Sequence, residues 1–220
     1  MSVLVFDLDG TLVSSMDDLA ATLNVVLSRN GYQTIPPENV RSMVGLGAKV
    51  LLQRGLEANG VSWTDDLVAP LFDEFLVYYE GHLADHTRPF PGVIEALEQF
   101  RAQGWKLAVC TNKVERLTLP LLDALDLTRF FDAVVGGDTY EVAKPDAAPV
   151  LGAIKRAGGT VEGSIMVGDS GTDIDAAKAA GIPVVAVTFG YTPVPVEELG
   201  PDLVISHFDQ LQGAVSKLQR

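Results

Sequence analysis

Six short, largely apolar runs stop abruptly at polar residues: Val3–Phe6, Lys106–Cys110, Ala133–Val135, Ser164–Val167, Val184–Val187 and Leu203–Ile205. They are rich in Val and Ile and do not alternate apolar with polar positions, which predicts strands buried on both faces, as in a parallel sheet. Helical patterns lie between most of them. In Gly92–Gln103, Val93, Ile94, Leu97 and Phe100 share one face, and Gly104 supplies a C-terminal stop. Leu117–Leu125, Pro149–Arg156 and an Ala-rich Thr172–Ala180, stopped by Gly181, complete the set. Strands alternating with helices predict a doubly wound α/β fold, a mainly parallel Rossmann-like sheet with right-handed crossovers.

Positions 15–86 break the alternation and read as all helix. Ser14 or Ser15 can cap a helix whose first turn holds Asp17 and Asp18, favourable at the positive end of the dipole. Leu19, Leu23, Val26 and Leu27 form its apolar stripe, and Asn30-Gly31 ends it. A second helix is expected from Pro36 or Pro37 and a third after Gly47. A longer one runs from about Asp66 to Leu83, with Leu67, Leu71, Phe75 and Tyr78 on its stripe and Pro70 in its first turn or kinking it. Thr87-Arg-Pro-Phe-Pro91 then reads as a stiff linker. The expected organisation is therefore a split core, residues 1–14 and 87–220, with an inserted all-helical cap domain, 15–86. The insert is long enough for a small bundle. A hinge is expected near Val13–Ser15 and Thr87–Pro91.

Composition narrows the partners. The 220 residues carry a net charge of -13, which repels nucleic acid and anionic membranes. It also opposes an anionic substrate unless local positive charge, such as a metal ion, intervenes. The single cysteine, Cys110, lies in an apolar run and reads as a small core residue. It permits no intrachain disulfide, as suits a reducing compartment. No stretch has the length of a membrane span, the N-terminus lacks the features of a signal peptide, and the cytoplasm is expected. The sequence does not distinguish a monomer from a homodimer.

The candidate chemistry lies at strand ends. The first run closes on Asp7, Leu8, Asp9, Gly10 and Thr11; Thr111 and Asn112 follow the second; Lys144 lies in a loop before a helix; Asp169 and Asp173 follow a strand and open a helix. Ligands of open α/β sheets bind beyond the carboxyl ends of the strands, so these residues should converge. Three or four carboxylates at one point repel unless a cation sits among them, and all-oxygen ligands favour a hard ion such as Mg²⁺. His82, His86 and His207 are scattered, so zinc is not indicated. Carboxylates, a metal, a lysine and backbone N–H donors together point to phosphoryl transfer through an aspartyl-phosphate. Singly, Asp169 or Asp173 would read as a helix cap, Lys144 as a surface lysine and Thr111-Asn112 as a turn; only their joint order argues otherwise.

Asp7-Leu-Asp-Gly-Thr11, Thr111-Asn112, Lys144-Pro145 and Gly168-Asp-Ser-Gly-Thr-Asp173 together resemble the four motifs of the haloacid dehalogenase superfamily, over essentially the whole chain. The resemblance implies that Asp7 is the nucleophile and Asp9 the general acid and base. It implies phosphate binding by Leu8, Asp9, Thr111, Asn112 and Lys144, with Lys144 also offsetting charge. Mg²⁺ would be held by Asp7, the Asp9 carbonyl and Asp169, with Asp173 in support. The second aspartate argues against dehalogenation, because family members that attack carbon lack it. Within the family the chain looks most like the phosphoglycolate phosphatases, through Val40–Leu56, Arg88–Gly92 and Thr111-Asn-Lys113. Gly45-Leu46-Gly47 precedes a helix whose N-terminus could take a substrate carboxylate, assisted by Arg41 and Lys49. The expected activity is hydrolysis of a small phosphorylated substrate, 2-phosphoglycolate first. Other small organic phosphates or pyrophosphate, a β-phosphoglucomutase-like isomerisation, and, remotely, a receiver-like signalling domain are the alternatives.

Overall fold

A computed structural model of the chain describes residues 1–219. Strands β1 (Val3–Phe6), β4 (Lys106–Cys110), β5 (Ala133–Val135), β6 (Ile165–Gly168), β7 (Val184–Val187) and β8 (Leu203–Ile205) form one sheet in the order β5-β4-β1-β6-β7-β8. Every neighbouring pair in it is parallel. Side chains alternate between two buried layers. Leu4 and Phe6 of β1 join Leu107, Val109, Ile165 and Val167 on one face, and Val3 and Val5 join Ala108, Cys110 and Met166 on the other. Both faces are covered, which is why the strands read as continuous apolar runs. Helices α5 (Val93–Ala102), α6 (Glu115–Ala124) and α9 (Leu211–Leu218) cover the first face; α7 (Ala147–Arg156) and α8 (Gly171–Ala180) cover the second.

One strand differs by a residue from expectation. Ser164 lies outside β6 because its hydroxyl oxygen accepts from the Val3 N–H at 2.9 Å. Gly168 takes the last ladder position, opposite Ala186.

Between β1 and β4 the chain is helical: α1 (Met16–Arg29), α2 (Pro37–Val40) with a 3₁₀ turn at Arg41–Met43, α3 (Ala48–Ala58) and α4 (Asp65–Glu80). The α1 stripe is buried as its spacing predicts. Its cap is not: Ser15 holds the N-cap position without a capping hydrogen bond, and its hydroxyl donates to Asp9 instead. The α4 stripe is corrected too. The chain buries Val68, Leu71, Phe75 and Tyr79, while Tyr78 stacks on His82. A spacing of 3.6 residues accommodates either tyrosine, and only the packing of α1 and α3 against α4 decides between them.

The two crossings between core and helical segment pair with each other. Strand β2 (Val13–Ser14) runs antiparallel to β3 (Arg88–Pro89). Asp18, buried on α1, clamps this junction: its carboxylate accepts from the backbone N–H of His86 and of Thr87 and from the Thr87 hydroxyl at 2.7–3.0 Å. Asp18→Ala leaves those donors without a partner and is expected to lower stability by about 2–4 kcal/mol, read by urea denaturation.

Candidate active site

The sheet order reverses at β1, where the chain first moves toward β4 and β5 and then returns to β6 on the other side. Asp7 leaves β1 at this point, its N–H still bonded to the Val167 carbonyl of β6 at 2.9 Å. The chain then folds tightly, with the N–H groups of Thr11, Leu12 and Val13 all donating to the Leu8 carbonyl. Gly10 has φ of +86°, and a Cβ there would lie 2.5 Å from the Asp169 carboxylate, so both backbone and space demand glycine. The turn sends the two aspartates to different partners. Asp7 Oδ1 lies 2.9 Å from the Lys144 ammonium. Asp9 accepts from the Lys113 ammonium at 2.9 and 3.2 Å and from the Ser15 hydroxyl at 2.6 Å.

Thr111 and Asn112 follow β4. Thr111 is buried, and its hydroxyl oxygen accepts from the Lys113 N–H. The Asn112 amide grips the backbone of Lys144 on both sides, donating to its carbonyl and accepting from its N–H, each at 3.0 Å. This clasp ties the Lys144 loop to the end of β4 and drives the lysine inward, so the residue that reads as a surface lysine is only 4% exposed. Its ammonium pairs with Asp173 Oδ1 at 2.6 Å as well as with Asp7. Those two acids hold it protonated beyond the usual lysine range despite burial.

Asp173 opens α8 in a capping box with Ser170. Its Oδ2 accepts from the N–H groups of Asp169 and Ser170 and from the Ser170 hydroxyl. Asp169 accepts from the Thr11 hydroxyl at 3.1 Å and the Tyr191 N–H at 2.7 Å. One oxygen each of Asp7, Asp169 and Asp173 lie within 4.8 Å of one another. Both oxygens of Asp173 and both of Asp169 already accept hydrogen bonds or an ion pair. Asp7 Oδ1 is the one buried side-chain polar atom among the described residues without a hydrogen bond; Lys144 is near enough for charge contact but out of line for donation. Burial, opposed by Lys144 and aided by Asp173, pushes the Asp7 carboxyl up to about 6. Burial and the charges of Asp173 and Asp7 push Asp169 well above the usual carboxylate range. Among the described residues, four carboxylates, those of Asp7, Asp9, Asp169 and Asp173, thus face only two ammonium groups. An all-oxygen donor set with surplus negative charge and a free carboxylate oxygen fits a hard divalent cation.

Asp7, Asp9, Thr111, Asn112 and Lys113 line a cavity closed by Leu19, Val44, Gly45, Gly47, Ala48, Leu51, Phe75 and Tyr79 from the helical segment. Its volume is about 50 Å³, the scale of a few water molecules. Gly45 and Gly47 thus stand at the cavity as the sequence suggests. Arg41 and Lys49 do not. The Arg41 guanidinium donates to the carbonyls of Phe189 and Gly190, at 3.2 and 2.6 Å, because its 3₁₀ turn faces that loop. Lys49 lies over the Phe72 ring on the α4 side of its helix.

Lys113, Tyr79, Ser15 and Tyr191 join the site in places that the sequence does not assign to them. Lys113 is fully withdrawn between core and helical segment, donating to Asp9 and, at 3.1 Å, to the Tyr79 hydroxyl. Burial pushes that hydroxyl up to about 12, so it stays protonated. The Tyr191 hydroxyl oxygen accepts from the N–H groups of Ser15 and Met16 while its own N–H binds Asp169, linking the carboxylate cluster to the start of α1. A lysine straight after Thr111-Asn112 was the available signal; the other three carried none.

Three comparisons with known proteins bear on this arrangement. A family model for haloacid dehalogenase-like hydrolases matches residues 4–187. A phosphoglycolate phosphatase of Agrobacterium fabrum is 44% identical over 211 residues, 96% of this chain and 91% of its own. One of Mesorhizobium japonicum is 46% identical over 209 residues, 95% and 92% of the two chains. Among solved structures, a predicted phosphoglycolate phosphatase from Haemophilus somnus superposes with a TM-score of 0.91 at 33% identity, covering 97% of each chain.

Proposed function

The chain belongs to the haloacid dehalogenase-like hydrolases, and from that premise we propose that it is a Mg²⁺-dependent phosphatase whose first substrate is 2-phosphoglycolate, released as glycolate and phosphate. The observation that carries the reading is the placement of Asp7 and Asp9 in one cavity with Thr111 and Asn112, while Lys144 backs Asp7. The name shared by the relatives supports the choice of substrate.

In this mechanism the N–H groups of Leu8 and Asp9, the Thr111 hydroxyl, the Asn112 N–H and the Lys144 ammonium hold the phosphoryl oxygens. An Asp7 carboxylate oxygen attacks phosphorus, the ester P–O bond breaks, and Asp9 gives its proton to the leaving alkoxide. Water then attacks the aspartyl-phosphate and yields its proton to Asp9. The Asp7–phosphorus bond breaks, and phosphate leaves. Mg²⁺ held by Asp7, the Asp9 carbonyl and Asp169, with Asp173 in support, would supply the positive charge that draws an anionic phosphoryl group toward a carboxylate nucleophile. Lys144 prepares the same approach by sharing its charge between Asp7 and Asp173. Residues 1–14 and 87–220 act as the core and 15–86 as a cap that excludes bulk water, swinging about the paired crossings at Val13–Ser14 and Arg88–Pro89. No helix among the described residues is long and apolar enough to cross a membrane, and the buried, single Cys110 suits a place in the cytoplasm.

The test is phosphate release from a panel of small phosphomonoesters, with Mg²⁺ and with EDTA. The highest kcat/KM is expected for 2-phosphoglycolate, and chelation should abolish turnover. Release from no member of the panel refutes the reading.

A further inference from the structure

The organic end of a substrate in this cavity would meet a wall that is apolar almost throughout. Among the lining residues contributed by the helical segment, Tyr79 alone has a polar side-chain atom, and Lys113 is the one cationic side chain in the whole lining. Arg41 and Lys49 are committed elsewhere. The Lys113 ammonium has three N–H groups, directed to the two oxygens of Asp9 and to the Tyr79 hydroxyl. Among the described residues, Asp9 Oδ1 is the only one of these acceptors with a second donor, the Ser15 hydroxyl at 2.6 Å, so it can release its share of the ammonium at least cost. The Tyr79 oxygen accepts from Lys113, and its own O–H has no acceptor among the hydrogen bonds of the described residues.

We propose that Lys113 and Tyr79 form the subsite for an anionic group on the organic part of the substrate, so that the enzyme selects phosphomonoesters that also bear a carboxylate. This rests on the phosphatase reading above. One carboxylate oxygen takes the free Tyr79 O–H, and one takes the ammonium N–H that Asp9 Oδ1 gives up. A substrate with an apolar end offers nothing to either donor. Its approach also leaves Lys113 on Asp9 and Tyr79, and in a chain of net charge -13 a second anionic group needs a local cation to be held. Tyr79 comes from α4 and Lys113 from the end of β4, so the subsite exists only when the helical segment lies over the core. Recognition of the carboxylate and closure over the phosphoryl group are then one event.

The experiment compares kcat/KM for 2-phosphoglycolate and ethyl phosphate in the wild-type enzyme, Tyr79→Phe and Lys113→Met. The wild type should prefer 2-phosphoglycolate. Tyr79→Phe should cut that preference at least about tenfold, as loss of a hydrogen bond to a charged group does, with the change mainly in KM for 2-phosphoglycolate. Lys113→Met should cut it further. Tyr79→Phe keeps the ring and its packing, so it reads the subsite even if Lys113→Met fails to fold. Equal loss on both substrates in Tyr79→Phe overturns the subsite and leaves the proposed function standing; no preference in the wild type overturns the subsite and the choice of 2-phosphoglycolate, and leaves phosphatase chemistry standing. No turnover of any phosphomonoester by the wild type overturns both.

Discussion

Asp7→Asn is expected to abolish phosphate release and yet to stabilise the metal-free protein at neutral pH. The first half follows from its proposed role: an amide cannot form the aspartyl-phosphate, and removal of a nucleophile costs about four orders of magnitude or more in turnover. The second half follows from burial. The Asp7 carboxyl titrates at about 6 in the folded chain against an ordinary 3.8. A folded-state value above the unfolded one means that the native protein binds the proton more tightly. The associated stability is therefore present at low pH and is lost as pH rises from about 4 through 6. At neutral pH the ionised group costs on the order of 3 kcal/mol. Asparagine has the same shape and no charge, and Lys144 keeps Asp173 as its partner, so the substitution orphans nothing. Thermal melts in EDTA should place the variant roughly 5–10 °C above wild type at pH 7.5, with the gap closing by pH 4. A variant that melts at or below wild type at pH 7.5 would show that Asp7 is not a strained carboxylate. Normal turnover would remove it from the chemistry.

The strand framework was readable because burial on both faces leaves a plain mark. Val3–Phe6, Lys106–Cys110, Ala133–Val135, Val184–Val187 and Leu203–Ile205 occur as their composition predicts. Ser164 reads as part of its strand because a hydroxyl that bonds a neighbouring strand's N–H looks the same in sequence as one inside a strand. Asp7, Asp9, Thr111, Lys144 and Asp169 were readable by position, since a parallel sheet gathers the residues that follow its strands at one edge. The face of α4 was not. Tyr78 and Tyr79 differ by one residue and by about 100° of helix rotation, and the choice depends on what α1 and α3 offer. Arg41, Lys49 and Lys113 show the same limit for charge. Each is a basic residue near a motif, and none reveals its partner locally. Arg41 finds two backbone carbonyls more than 140 positions away, whereas Lys113 finds Asp9, whose direction is set by the Gly10 turn. Side-chain direction at a strand end depends on the next strand's loop, and periodicity does not encode it.

Lys144→Met is expected to be the most destabilising single change in the site. Among the described residues the ammonium is the only cation paired with Asp7 and Asp173, and all three side chains are almost wholly buried. Breaking a buried pair from one side costs about 3–5 kcal/mol, because the remaining charge has neither partner nor water. For a chain of this size that is a fall of roughly 10 °C or more in Tm at pH 7.5. The pH dependence identifies the cause. Lys144 holds the Asp7 value down against burial, so its removal lets that value climb. A folded-state pKa raised further above the unfolded one makes stability fall more steeply as pH rises. The deficit relative to wild type should therefore be largest above about pH 6 and shrink toward pH 4, where a proton does the work of the ammonium. Asp173→Asn in the same chain removes one of the two stranded charges while its amide oxygen can still accept from Ser170. The double variant should then recover part of the loss, with a coupling on the order of 1–3 kcal/mol, and it remains measurable if the single variant does not fold. Additive losses in the double variant, or a deficit that does not change with pH, would mean that Lys144 acts through packing. The same ammonium would then not be what allows two carboxylates and a phosphoryl group to share one end of β1.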